Sequence, residues 1–128
     1  MSENSSRVII VDYGAGNLTS VRLAVEALGR RAVVTDRPED VRAARRVVLP
    51  GVGAAGSAME TLRSTGLGEA VVEYVRGGRP LVGICLGTQI IFERSAEGGT
   101  ECLALLPGTV ERLEVAPAFK VPHMGWNE

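Results

Sequence analysis

The segment Pro80-Leu-Val-Gly-Ile-Cys85-Leu-Gly-Thr-Gln89 leaves few folds open. An apolar strand runs straight into Gly83-Ile84-Cys85-Leu86-Gly87, and a helix-forming stretch follows. That is the strand–turn–helix setting of a nucleophile elbow, in which a tight turn holds the reactive atom above a sheet. Gly83 and Gly87 permit strained backbone and leave room for a substrate. A helix starting at Leu86 points its positive end at the Cys85 sulfur, which favours the thiolate. Gln89 lies one helical turn further on, on the same face. The bland alternative is a buried, inert cysteine between sheet and helix.

The chain around this segment alternates strands with helices. Arg7–Tyr13 reads as a buried strand because Val8, Ile9, Ile10 and Val11 are continuous apolar residues. Gly14-Ala-Gly16 turns the chain, Asn17 is placed to cap a helix, and Leu18, Val21, Val25 and Leu28 follow helical spacing up to Gly29. Ala32–Thr35 is a second strand, Pro38–Arg42 a helical turn, and Arg46–Pro50 a third strand that ends in Pro50-Gly51-Val52-Gly53. Ser57-Ala-Met-Glu60 has the form of a capping box, with Met59 and Leu62 on one face. Leu67, Val71, Tyr74 and Val75 give another amphipathic helix, closed by Gly77-Gly78, and Leu81–Ile84 is the fourth strand. The elbow helix carries Ile90-Ile-Phe92 and ends at Ala96–Gly99, and Leu105–Val115 reads as β structure turning at Pro107-Gly108.

Such alternation predicts an α/β fold with a mostly parallel sheet flanked by helices. In these sheets ligands gather beyond the carboxyl ends of the strands. The Gly14, Gly51 and Cys85 segments all follow strand ends, so they share one rim.

The 128 residues suit one domain over residues 7–128, preceded by a short polar tail, Met1–Ser6, that lacks the apolar core of a signal peptide. A net charge of −1 gives no footprint for nucleic acid or a membrane surface, and no apolar run is long enough to span a bilayer. Two cysteines without ligand spacing predict neither a disulfide framework nor a metal site. A cytoplasmic protein is the plain expectation. Gly14-Ala-Gly16 would need a third glycine at Thr19 to bind a dinucleotide, so that pattern fails. Cys102 has neither elbow nor base and reads as structural.

Four segments carry a resemblance: Val11–Asn17, Leu49–Gly53, Gly83–Gln89 and Val121-Pro-His-Met-Gly-Trp-Asn127. Together they resemble the class I (triad) glutamine amidotransferases, and within them the glutaminase-subunit family of imidazole glycerol phosphate synthase. The resemblance implies a flavodoxin-like amidotransferase domain, here incomplete at its C-terminus. It implies Cys85 as the nucleophile, forming a γ-glutamyl thioester and releasing ammonia. Gly51 belongs to the oxyanion loop; the N–H of Leu86, next to the nucleophile, and that of Val52 would be the oxyanion donors. Gln89 and Gly53 would contact glutamine. Asn17, His123, Met124 and Trp126 would face the partner, a cyclase subunit of (β/α)8-barrel fold, in histidine synthesis. No metal or organic cofactor is implied.

His123 is the chain's single histidine and invites a Cys–His pairing. The resemblance assigns it to the partner face instead, and puts the catalytic histidine and glutamate in a Phe-His-Pro-Glu segment that has no counterpart here. An amino-terminal portion of a longer protein, inactive by itself, is therefore expected. Competing readings are a glutaminase of pyridoxal phosphate or guanine nucleotide synthesis, a non-catalytic binding protein with the same elbow, and an esterase-like cysteine hydrolase. Pro122-His-Met-Gly-Trp-Asn127 favours the histidine pathway over the first, and Gln89 disfavours the last.

Overall fold

Val8, Ile9, Ile10 and Val11 are all buried, as a continuous apolar run requires when both faces of a strand are covered. They belong to β1 (Arg7–Val11), which pairs in parallel with β2 (Arg31–Thr35) on one side and β3 (Val47–Leu49) on the other. β4 (Leu81–Gly83) pairs in parallel with β3, giving a four-stranded sheet of order β2-β1-β3-β4. This computed structural model describes residues 6–114 and 116–118. The tail expected over Met1–Ser6 lies outside these residues apart from Ser6.

Successive residues of a strand point to opposite faces, and here they sort into two cores. Ile9, Val11, Val47 and Leu49 pack against α2 (Pro38–Arg42), α3 (Ala55–Thr65), α4 (Leu67–Arg76) and α5 (Leu86–Ile90), burying Val41, Met59, Leu62, Val71, Tyr74 and Ile90. Val8, Ile10 and Val48 face the other way and meet α1 (Leu18–Ala27) through Val25, with Leu18 and Val21 partly buried beside it. Coverage is lopsided. β4 lies beyond the reach of α1 along that second face, and Val82 is 56% exposed and Ile84 40%. An apolar groove of about 500 Å³ runs there between Val21, Val25, Val48 and Val82.

Two buried tyrosines fasten the sheet to its loops. Tyr13 donates its hydroxyl to the Pro50 carbonyl at 2.6 Å, and Tyr74 donates to the Pro80 carbonyl just before β4. Arg79 lies over the Tyr74 ring, its guanidinium carbon 4.5 Å from the centroid, and bonds the carbonyls of Arg42 and Ala44.

Several local expectations are corrected. The Ser57–Glu60 capping box does not form, because α3 starts at Ala55 and Ser57 already lies in its first turn. The Ala55 N–H is taken instead by the Glu97 carboxylate at 3.1 Å, from a 3-10 turn at Glu97–Gly99. Asn17 stands at the start of α1 in a left-handed conformation (φ 58°), and its side-chain oxygen accepts from the Ser20 hydroxyl rather than a backbone N–H. The elbow helix stops at Ile90, not near Ala96. The returning segment donates Leu103, Leu105 and Ala104 N–H groups to the carbonyls of Ile90, Ile91 and Phe92, which a longer helix would need. Of Leu105–Val115, Thr109–Val110 (β7) forms a strand; it pairs in parallel with β5 (Arg94–Ser95), which pairs antiparallel with β6 (Thr100–Glu101).

Candidate active site

The register Leu49↔Gly83 aligns the ends of β3 and β4, so the chain leaves the sheet at both points side by side. One further bond, Ile84 N–H to the Leu49 carbonyl at 3.0 Å, carries the pairing up to the elbow. Cys85 follows at φ 56°, ψ −118°, a conformation that L-residues rarely adopt. The strain therefore falls on the cysteine itself, which is the mark of an elbow nucleophile. Its thiol is exposed.

The two flanking glycines serve a different purpose from the one expected. Neither has a positive φ. A Cβ on Gly87 would lie 1.8 Å from the Leu49 carbonyl oxygen, and one on Gly83 would lie 2.9 Å from the Gly87 backbone. Glycine at these positions lets β4 and α5 close on β3 beneath the cysteine.

Facing the elbow is the Pro50–Gly53 loop. Leu86 donates its N–H to the Gly51 carbonyl at 3.1 Å, and Val52 donates its N–H to the Ala15 carbonyl at 3.1 Å. Both groups expected to hold an oxyanion are thus engaged with backbone carbonyls. The Gly51 C=O and the Val52 N–H belong to one peptide unit, so a single rotation of that unit would break both bonds. The Val52 side chain leans toward Gly16, where a Cβ would meet its methyl at 3.3 Å. The Gly14–Asn17 and Gly51–Gly53 loops therefore touch, and the shared rim is real.

Gln89 is exposed on α5, one turn from Cys85, and Gly53 is exposed with φ 98°. Asn17 is exposed at the start of α1. His123, Met124 and Trp126 lie outside the described residues. Cys102 is half-buried and burial pushes its thiol up from the ordinary value, in keeping with a structural cysteine. No group of three or more His, Cys, Asp or Glu among the described residues is arranged to hold a metal ion, and none of their helices is long and apolar enough to cross a membrane.

Sequence reasoning passed over two residues at this rim. Tyr13 closes the first apolar run of the sequence, yet its hydroxyl reaches the Pro50–Gly53 loop, and burial followed by the charge of Cys85 pushes it up to about 12. The available signal was general: a buried tyrosine hydroxyl needs a partner. Glu97 was read as part of a helix end, whereas its carboxylate holds the start of α3, two residues past Gly53. Nothing in local sequence announces a contact across that separation.

Residues 9–128 match the family described as glutamine amidotransferase class-I. Among curated proteins, the chain is 51% identical over 122 residues to imidazole glycerol phosphate synthase subunit HisH of Moorella thermoacetica, covering 94% of this chain and 57% of the relative. It is 46% identical over 121 residues to the subunit of the same name from Gloeobacter violaceus, covering 94% and 54%. The chain thus spans a little over half the length of these relatives. A solved structure described as a glutamine amidotransferase superposes with a TM-score of 0.71 at 23% identity, over 81% of this chain and 56% of that one. A peptidase E protein from Listeria monocytogenes EGD-e gives 0.65 at 15% identity, over 82% and 65%. Both structures speak to the fold alone.

Proposed function

The chain belongs to the class-I glutamine amidotransferase family, and from that premise we propose that it is the nucleophile-bearing part of a glutaminase subunit of imidazole glycerol phosphate synthase. The observation that carries the reading is Cys85, exposed and strained at φ 56° on an elbow beside the Gly51–Val52 peptide.

In this reading the Cys85 sulfur attacks the side-chain amide carbon of glutamine. The carbonyl π electrons move onto oxygen, and the resulting oxyanion is met by the N–H groups of Leu86 and Val52. Collapse breaks the C–N bond, the departing amide nitrogen takes up the proton given up by the Cys85 thiol and leaves as ammonia, and the γ-glutamyl thioester that remains is hydrolysed by water to glutamate and free thiol. Those donors become available when the Gly51–Val52 peptide turns, which frees Leu86 from Gly51 and Val52 from Ala15. A partner that favours the turned loop would activate the enzyme by differential binding of one of two states. Gln89 and Gly53 contact the bound glutamine, with Gly51 lending the loop its mobility. Asn17, His123, Met124 and Trp126 form the face toward a (β/α)8-barrel cyclase in a cytoplasmic heterodimer that serves histidine biosynthesis.

The base and its orienting carboxylate are assigned to polypeptide corresponding to the remaining length of the relatives, because the resemblance puts His123, the single imidazole of the 128 residues, on the partner face. These residues alone should therefore not turn over glutamine.

Mass spectrometry of peptides after brief incubation with glutamine and acid quench tests the nucleophile. A γ-glutamyl adduct on the Cys85 peptide is expected, absent in Cys85→Ala. An adduct on Cys102, or steady ammonia release by the 128 residues that His123→Ala abolishes, would overturn the assignment.

A further inference from the structure

We propose that Tyr13 is a positioning residue for the oxyanion donors: its hydroxyl ties the Pro50–Gly53 loop to the end of β1 and holds the arrangement in which the Leu86 and Val52 N–H groups are occupied. The inference rests on the reading of those two groups as donors given above.

Three observations carry it. The Tyr13 hydroxyl donates to the Pro50 carbonyl at 2.6 Å in a buried setting, joining segments 37 residues apart. The same oxygen fills the space where a side chain on the next residue would begin, since a Cβ on Gly51 would lie 2.1 Å from it. The tyrosine thus grips the peptide immediately before the one that carries the Gly51 carbonyl and the Val52 N–H. Finally, a cavity of about 250 Å³ borders the loop, between Tyr13, Ala15, Val52, Gly53, Ser57 and Thr61. The loop thus borders open space at Val52 and Gly53, while the bond from Tyr13 fixes its root at Pro50. The hydroxyl is protonated at neutral pH and stays a donor there, and burial pushes its ionisation further up.

A tie of this kind lowers the population of the opened loop by the net worth of one buried hydrogen bond, about 2- to 10-fold. Tyr13→Phe keeps the ring and removes the tie. Amide hydrogen exchange measured by NMR on the protein and on this variant reads the effect directly, because local opening sets the exchange rate. Leu86 and Val52 should exchange about 2- to 10-fold faster in the variant. Ile9, whose N–H donates to the Arg46 carbonyl at 2.9 Å within the sheet, should not change. Equal rates at Leu86 and Val52 in both proteins would overturn the proposal. So would acceleration at Ile9 to the same degree, since that would make Tyr13 a general prop of the fold. Exchange needs no glutamine, so this result stands apart from the thioester test of the function itself.

Discussion

The Leu86 N–H donates to the Gly51 carbonyl across the gap between elbow and loop, at 3.1 Å. Through the shared peptide unit, that bond rises and falls with the one from Val52 to Ala15. Both donors are satisfied within the protein, as burial requires of the Leu86 N–H. Under the proposed function, catalytic competence and the stability of this loop arrangement are opposed at this peptide.

Gly51→Ala should destabilise the protein by about 1–3 kcal/mol, the usual range for overpacking. The added methyl would meet the Tyr13 hydroxyl at 2.1 Å and the Leu86 Cβ at 3.1 Å. Urea denaturation of Gly51→Ala, Tyr13→Phe and the double variant forms a cycle. Because Phe removes the clashing oxygen, the double variant should be more stable than the sum of the singles predicts. Strict additivity would show that the loop evades the clash by another route.

Gly87→Ala should be the more damaging change, at or above about 3 kcal/mol. Its Cβ would lie 1.8 Å from the Leu49 carbonyl oxygen, and neither backbone can yield without opening the β3–β4 pairing. Gly14→Ala offers the contrast. Nothing lies within 4 Å of its Cβ, but its φ of 82° makes the cost one of conformation, about 1–2 kcal/mol. Equal denaturation midpoints for Gly87→Ala and Gly14→Ala would contradict this ranking.

Limiting iodoacetamide should label Cys85 on the order of 10-fold faster than Cys102. The first thiol is exposed, while the second is half-buried with its ionisation pushed up by burial. Peptide mapping after short exposure decides it, and faster labelling of Cys102 would count against the elbow geometry.

Alkaline pH should weaken the fold in part through Tyr13. The folded protein holds this proton up to about pH 12, against 10.0 for the free group. The unfolded chain releases it sooner, so the associated stability is complete below pH 10.0 and is lost as pH climbs toward 12. Comparing urea midpoints at about pH 9 and about pH 11 should show a larger fall for the protein than for Tyr13→Phe. Some fall should remain in the variant, since burial also pushes the Tyr74 hydroxyl up. Identical falls would remove Tyr13 from the account.

The four strands of the parallel sheet were legible because each is a run of apolar β-formers closed by glycine or proline; the structure trims three of those runs by a residue or two and extends Ala32–Thr35 by one, to Arg31. Cys85 was legible because its elbow is written in consecutive residues. What escaped is everything set by contacts between distant segments. The Tyr13–Pro50 tie spans 37 residues and the Glu97–Ala55 cap spans 42. The Ser57–Glu60 pattern misled for the same reason, since a carboxylate arriving from afar serves the start of α3 three residues earlier. Nor could spacing reveal that the Leu86 and Val52 N–H groups are already paired, because backbone groups carry no residue identity.

The match of Leu49 with Gly83 also works as a measuring scale for the site. Gly51 and Cys85 each stand two residues beyond their member of that pair. A slip of one residue would shift the sulfur along the loop by about 3.3 Å and turn β4 over. No adjustment of side chains could repair such an error. The tolerance of the chemistry is therefore set in a strand pairing three residues long, and substitutions that loosen it should blunt the site well before they unfold the protein.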